Sequence, residues 1–225
     1  MLHGFAGDPA SWDDVIAAWP QPDELVAIAL PCHGAPPCET WSNGLTAVGA
    51  AIGDVDLVIG YSLGARIALG LVATERVARA ILVSVNPGIA DAERPMRRAN
   101  DACWVRMLRE QGIAAFADAW QAQPLFATQV RAPTDRLAAR RARRLRLDPE
   151  RLARSLEVMG LAEMPDYRGT TDVALVAGSD DAKFIAIARS MNAPLQLIRD
   201  SGHDPTLEQP RALAQVLAEL AEQPA

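Results

Sequence analysis

The chain has 225 residues, of which 50% are apolar and 22% charged. That suits one substantial globular domain, burying roughly 70% or more of its unfolded surface, and excludes mini-protein and disordered classes. The net charge of −6 argues against a nucleic-acid binder, whose footprint is basic.

Short runs rich in valine, isoleucine and leucine occur at Leu25–Leu30, Val55–Ile59, Ala80–Val85, Val173–Ala177 and Leu195–Ile198. Each is followed by glycine, proline or polar residues, the pattern of buried parallel strands. Leu63, Ile67 and Leu71 recur at helical spacing, with Ala68 and Val72 extending the face, and predict a helix over Leu63–Thr74. Leu207–Leu220 reads as a closing helix with Pro210 near its start. The alternation predicts an α/β fold, a mostly parallel sheet flanked by helices. From Gly88 to Tyr167 only helical patterns appear. Residues 1–87 and 168–225 are therefore expected to form the core, with 88–167 as a helical lid over the carboxyl ends of the strands.

Cys32, Cys38 and Cys103 make an odd count without C-x-x-C spacing. They predict neither a disulfide framework nor a zinc site, and suit a reducing compartment. The start, MLHGFAGDPASW, lacks a charged segment followed by an apolar run, and no apolar stretch reaches ~18 residues. A cytoplasmic protein with no membrane association is expected. Nine arginines fall between Arg131 and Arg154, whereas Lys183 is the sole lysine. Guanidinium forks on an acidic protein suit a small anionic ligand.

The strongest motif is Gly60-Tyr61-Ser62-Leu63-Gly64, set between a predicted strand and a predicted helix. A serine on such a turn has its hydroxyl forced into the open, and the helix N-terminus favours developing negative charge. Serine needs an activating histidine, itself held by a carboxylate. His203, in Ser201-Gly202-His203-Asp204, follows the last predicted strand, where the order Ser…Asp…His puts the base. His3 and His33 read as structural. The carboxylate is expected after the penultimate strand, in Gly178-Ser179-Asp180-Asp181, with Asp181 preferred over Asp180. Backbone N–H groups of Leu63 and of Phe5, in His3-Gly4-Phe5, fit an oxyanion hole. No metal constellation and no G-x-G-x-x-G fingerprint is visible, so no metal or cofactor is expected.

With these motifs in place, the sequence resembles the α/β-hydrolase superfamily over nearly its whole length. Finer features resemble the branch of menaquinone-pathway 2-succinyl-6-hydroxy-2,4-cyclohexadiene-1-carboxylate synthases. They are LHGFAGDPASW, LPCHG at Leu30–Gly34, GYSLGAR at Gly60–Arg66, NPGI at Asn86–Ile89 and NDACWVRML at Asn100–Leu108. Further on come FADAWQAQPLFA at Phe116–Ala127, GSDDAKF at Gly178–Phe184 and SGHDPTLEQP at Ser201–Pro210. The resemblance implies a lyase that removes pyruvate from a succinylated cyclohexene carboxylate, with the Ser-His-Asp set acting as a base. By motif position it also implies substrate contacts from Tyr61, Arg66, Arg98, Trp120 and Arg144. Two features depart from the branch: Ala65 stands where glycine is usual, and the chain begins almost on the oxyanion motif. An N-terminally shortened sheet is therefore expected, with an exposed edge compatible with a monomer or a homodimer.

Two other readings compete. An ester or thioester hydrolase would use the same three residues, with serine as nucleophile, but in a more apolar pocket. A binding module on a retired hydrolase scaffold would have no need of an intact Ser62, Asp181 and His203.

Overall fold

The computed structural model describes residues 1–223. Four strands, β1 (Val58–Tyr61), β2 (Ala80–Val83), β3 (Val173–Gly178) and β4 (Leu195–Ile198), pair in parallel in that order. The connections between β1, β2 and β3 run through α3 (Leu63–Ala73) and through the long helical region that precedes β3, and α7 (Ala182–Arg189) joins β3 to β4. Before β1 come α1 (Asp13–Ala17) and α2 (Trp41–Ile52), and after β4 come α8 (Pro205–Glu208) and α9 (Pro210–Ala221).

The strands bury both faces because successive side chains point to opposite sides of the pleat. Val58, Ala80, Leu82, Val173 and Leu175 join one apolar cluster with Trp41, Leu45 and Val48 of α2 and most of α3. Ile59, Tyr61, Ile81, Val83 and Val176 join the other, with Trp12, Val15 of α1 and Leu213, Leu217 and Leu220 of α9. This is the α/β-hydrolase arrangement of a parallel sheet between helical layers. No helix among the described residues is long and apolar enough to cross a membrane.

Three sequence expectations need correction. Leu25–Leu30 is not a strand but forms a single bridge, Ile28 to Leu2, while Leu2 also bridges to Gly60. Leu2 donates to Ile59 O at 2.8 Å and accepts from Tyr61 at 2.9 Å, and this two-residue neighbour offers one rung rather than a ladder. The first full strand is displaced to Val58–Tyr61, because Val55 is exposed between Asp54 and Asp56. The closing helix is split: Gln209 takes φ −139° and ψ 55°, since a residue before proline is pushed out of the α region.

No strand lies between residues 88 and 167. That stretch holds α4 (Arg94–Gln121), a 3-10 segment (Pro124–Arg131), α5 (Thr134–Arg144) and α6 (Pro149–Met159). α4 is interrupted at Gly112, whose φ of 78° and ψ of −178° are non-helical. α4 and α6 pack together through Val105, Leu108, Phe116, Leu152, Ala153 and Leu156.

The first and last glycines of G-x-S-x-G serve close packing rather than a left-handed turn. A β-carbon at Gly60 would stand 2.3 Å from Gly64 O, and one at Gly64 would stand 2.2 Å from Leu2 O. Gly64→Ala is therefore expected to destabilise the protein by about 1–3 kcal/mol, as for other overpacked sites. Urea unfolding checks this, and parental stability in the variant would refute the packing argument.

Candidate active site

Ser62 joins β1 to α3 at φ 51° and ψ −104°, a region costly for a residue with a β-carbon. The turn is held because Ser62 N donates to Val83 O at 2.9 Å and Gly64 N donates to His3 O at 3.0 Å. The hydroxyl thus projects from the carboxyl end of the sheet.

Asp181 is the N-cap of α7. Its Oδ1 accepts from Phe184 N at 3.1 Å and its Oδ2 accepts from His203 Nδ1 at 3.0 Å. With Nδ1–H committed, His203 Nε2 is left as acceptor for the Ser62 hydroxyl, 3.3 Å away. Asp181 and His203 are both buried, and the Phe184 ring lies 4.3 Å from the imidazole. Asp180 points elsewhere, exposed and paired with Arg131 at 2.6 Å, which holds its carboxyl below the usual range.

The His3-Gly4-Phe5 turn lies directly over the serine: a β-carbon at Gly4 would stand 3.6 Å from Ser62 Cβ. Neither Phe5 N–H nor Leu63 N–H has a protein acceptor among the described residues. They flank Ser62 in the chain and in the turn above it, and they stay uncommitted. Buried histidines brace this turn. Ala6 N donates to His33 Nε2 at 3.1 Å, Leu30 N donates to His3 Nε2 at 3.2 Å, and His3 Nδ1 donates to Gly4 O at 2.8 Å.

Burial pushes His3 down to about 3 and His33 to about 4. Both values lie below the unfolded one, so their contribution is present above pH 6.5 and is lost as pH falls toward those values. Unfolding free energy should therefore drop by roughly 1.4 kcal/mol per pH unit for each histidine between about pH 6 and pH 4. Urea titrations at pH 7, 6 and 5 check this, and a flat response would contradict it.

A cavity of about 1160 Å³ opens above Ser62, lined by Phe5, Arg66, Arg97, Trp104, Trp120, Lys183 and His203 among others. Arg66, one turn along α3, donates to Met159 O at 3.0 Å and lies 5.9 Å over the Trp41 ring. It has no carboxylate partner among the described residues, and burial next to Arg97 lowers it to about 9. Trp120 lines the cavity but is also packed at 5.0–5.4 Å against Phe5, Trp104 and Phe116.

Three expected substrate contacts lie outside this cavity. Arg98 is exposed and paired with Glu163 at 2.6 Å. Its neighbour Arg97 lines the cavity instead, bonded to Asp101 at 2.9 Å. Arg97, Asp101 and Trp104 recur at i, i+4 and i+7, a helical signal that the motif match did not use. Tyr61 is buried on the other side, because alternation along β1 turns it toward the α1–α9 layer. Burial raises its phenol well above the usual range. Arg144 is also buried, with Nε donating to Ala6 O at 3.3 Å and Nη1 to Gln121 Oε1 at 3.2 Å, and burial lowers it to about 10. Tyr61 and Arg144 face a separate space of about 20 Å³ behind Phe5. Lys183, which no motif singled out, also lines the main cavity, with Nζ 5.6 Å over the Phe184 ring. Its two-residue spacing from Asp181 was the available signal.

The model of the alpha/beta hydrolase family matches residues 1–216. A 2-succinyl-6-hydroxy-2,4-cyclohexadiene-1-carboxylate synthase of Klebsiella pneumoniae subsp. pneumoniae is 32% identical over 98% of this chain and 92% of its own. The enzyme of the same name from Enterobacter sp. strain 638 is 32% identical over 98% and 90%. Among solved structures, MenH from S. aureus superposes with a TM-score of 0.90 at 25% identity, covering 98% of this chain and 91% of that one. A thermophilic esterase from Thermogutta terrifontis, at 21% identity and a TM-score of 0.79 over 98% and 87%, shares the fold.

Proposed function

This chain belongs to the alpha/beta hydrolase family and, within it, to the 2-succinyl-6-hydroxy-2,4-cyclohexadiene-1-carboxylate synthases, and on that footing we propose that it is a lyase releasing pyruvate from a succinylated cyclohexene carboxylate. The observation that carries this reading is the cavity directly above Ser62, into whose lining Arg66 and Lys183 bring charge, with Arg66 buried and lacking a carboxylate partner. An anionic substrate supplies the counter-charge that the protein does not.

In the proposed reaction His203 takes the Ser62 proton, and the serine oxygen removes a carbon-bound proton from the substrate. The electron pair passes into an enolate whose oxygen meets the N–H groups of Phe5 and Leu63. Collapse of the enolate breaks the carbon–oxygen bond to the enolpyruvyl group, and the proton held on the His203–Ser62 pair returns to the departing enol, giving pyruvate. One proton is taken and one returned, so no water or external reductant enters. Asp181 fixes the imidazole orientation throughout. Residues 88–167 act as a lid that completes the polar and aromatic walls over the core of 1–87 and 168–223. The site serves a small anionic metabolite, in keeping with a cytoplasmic biosynthetic enzyme.

Incubation with the succinylated intermediate should release pyruvate stoichiometrically, while a short-chain p-nitrophenyl ester should be a poor substrate. Rapid ester turnover without pyruvate would replace this reading by that of a serine hydrolase.

A further inference from the structure

Behind the serine and histidine lies a buried charged cluster that the proposed reaction leaves unused. Arg140 Nη1 donates to Asp204 Oδ2 at 2.7 Å, with side chains only 9% and 3% exposed. Arg140 Nη2 also donates to Thr206 Oγ1 at 3.2 Å, and Thr206 Oγ1 donates to Asp204 Oδ1 at 2.5 Å. Asp204 is the residue immediately after His203. Its backbone N–H donates to Glu208 Oε1 at 3.3 Å, and Glu208 Oε2 accepts from Gly202 N at 2.9 Å. The loop that presents the base is thus gripped on both sides of the histidine.

The grip comes from an unexpected place. Arg140 sits on α5, in the helical region, whereas Asp204 belongs to the core. One turn further along the same face of α5, Arg144 donates to Ala6 O, next to Phe5. One helix therefore holds the base loop with one arginine and the Phe5 turn with another. A buried ion pair contributes little net stability compared with apolar residues of equal volume. The position of this pair, one residue from the base, gives it a different use.

We propose that Arg140 is a positioning residue that acts through Asp204, fixing the His203 loop and neutralising the carboxylate of the residue that follows the base. The proposal rests on His203 being the base, not on which substrate is turned over. The other charged or titratable groups facing this loop are Asp181 ahead of α7, Lys183 on α7, Glu208 on α8, Tyr61 on β1 and Arg144 on α5. The Arg131–Asp180 pair is exposed and satisfied within itself.

The two charges predict opposite responses. Without Arg140, an uncompensated buried carboxylate one residue from His203 favours imidazolium, so the acid limb of a pH–rate profile moves to higher pH. Without the Asp204 charge, a lone guanidinium disfavours imidazolium, and the limb moves to lower pH. The test is the rate of Ser62 phosphonylation by a fluorophosphonate probe, in which serine displaces fluoride and His203 takes the proton. It is measured from pH 5 to 9 in Arg140→Met, Arg140→Lys, Asp204→Asn and the double variant, with circular dichroism to confirm folding. Arg140→Met should shift the limb up, Asp204→Asn down, and the double variant and Arg140→Lys should return close to the parent. Folded single variants whose limbs move in the same direction, or not at all, would overturn the proposal. A single variant that fails to fold leaves the other and the double to decide it. If the parent is labelled at Ser62 but releases no pyruvate, the lyase reading fails while the Arg140 result stands on its own.

Discussion

Ser62→Ala and His203→Ala should each lower kcat by about 10²–10⁴-fold, the range for loss of a positioned proton-transfer group. The two losses should not add. Nε2 lies 3.3 Å from the hydroxyl and Nδ1 3.0 Å from Asp181, so the three side chains work as one relay, and removing either end disables the same step. The double variant should match the slower single one. Ser62 sits at a strained positive φ, and alanine there keeps the strain while losing the hydroxyl, so thermal stability should change little. Pyruvate release by purified, folded variants is the measurement, and full rate in either would end the assignment of the site.

Arg66→Met should separate binding from stability. The guanidinium is buried, bonded to Met159 O and lowered to about 9 by burial, which leaves it charged at neutral pH. Removing a charge that pairs with substrate should cost about 2–5 kcal/mol in kcat/KM. That is roughly 30- to 5,000-fold at about 1.36 kcal/mol per decade. Methionine fills much of the volume, and the protein no longer buries a cation without a carboxylate partner, so the melting temperature should hold or rise. Steady-state kinetics beside calorimetry decides the point. An unchanged kcat/KM would remove Arg66 from substrate recognition, and a lower melting temperature would make its role structural.

The residues whose position is dictated by local chain geometry were legible in the sequence. Ser62 follows from a strand–turn–helix pattern a few residues long, and the placement of His203 and Asp181 follows from strand order. Where the structure places a side chain or strand differently from the sequence expectation, the cause is packing between distant elements. Arg97 rather than Arg98 faces the cavity because α6 sets the rotation of α4, and motif spacing carries no record of that contact. Tyr61 adjoins Ser62 in sequence, yet the pleat sends it to the opposite layer. Arg144 matches the family by motif position, but Ala6 O and Gln121 decide where it points. The segment around Ile28 has the composition of a strand but meets a neighbour offering a single rung. The Arg140–Asp204 pair spans 64 residues of chain, and nothing local announces it.

The break at Gly112 has an architectural consequence. An unbroken helix of this length would extend about 42 Å, too long to fold back over one opening. With the joint, the forward arm presents Arg97, Asp101 and Trp104 to the cavity while the rear arm presents Trp120. A β-carbon at the joint would touch nothing within 4 Å, so torsion alone reserves that position for glycine. One wall of the cavity is thus assembled from two arms that meet at a single joint. The two arms meet again through Trp104 and Trp120, whose rings lie 5.1 Å apart, so a change of bend there would reshape the aperture.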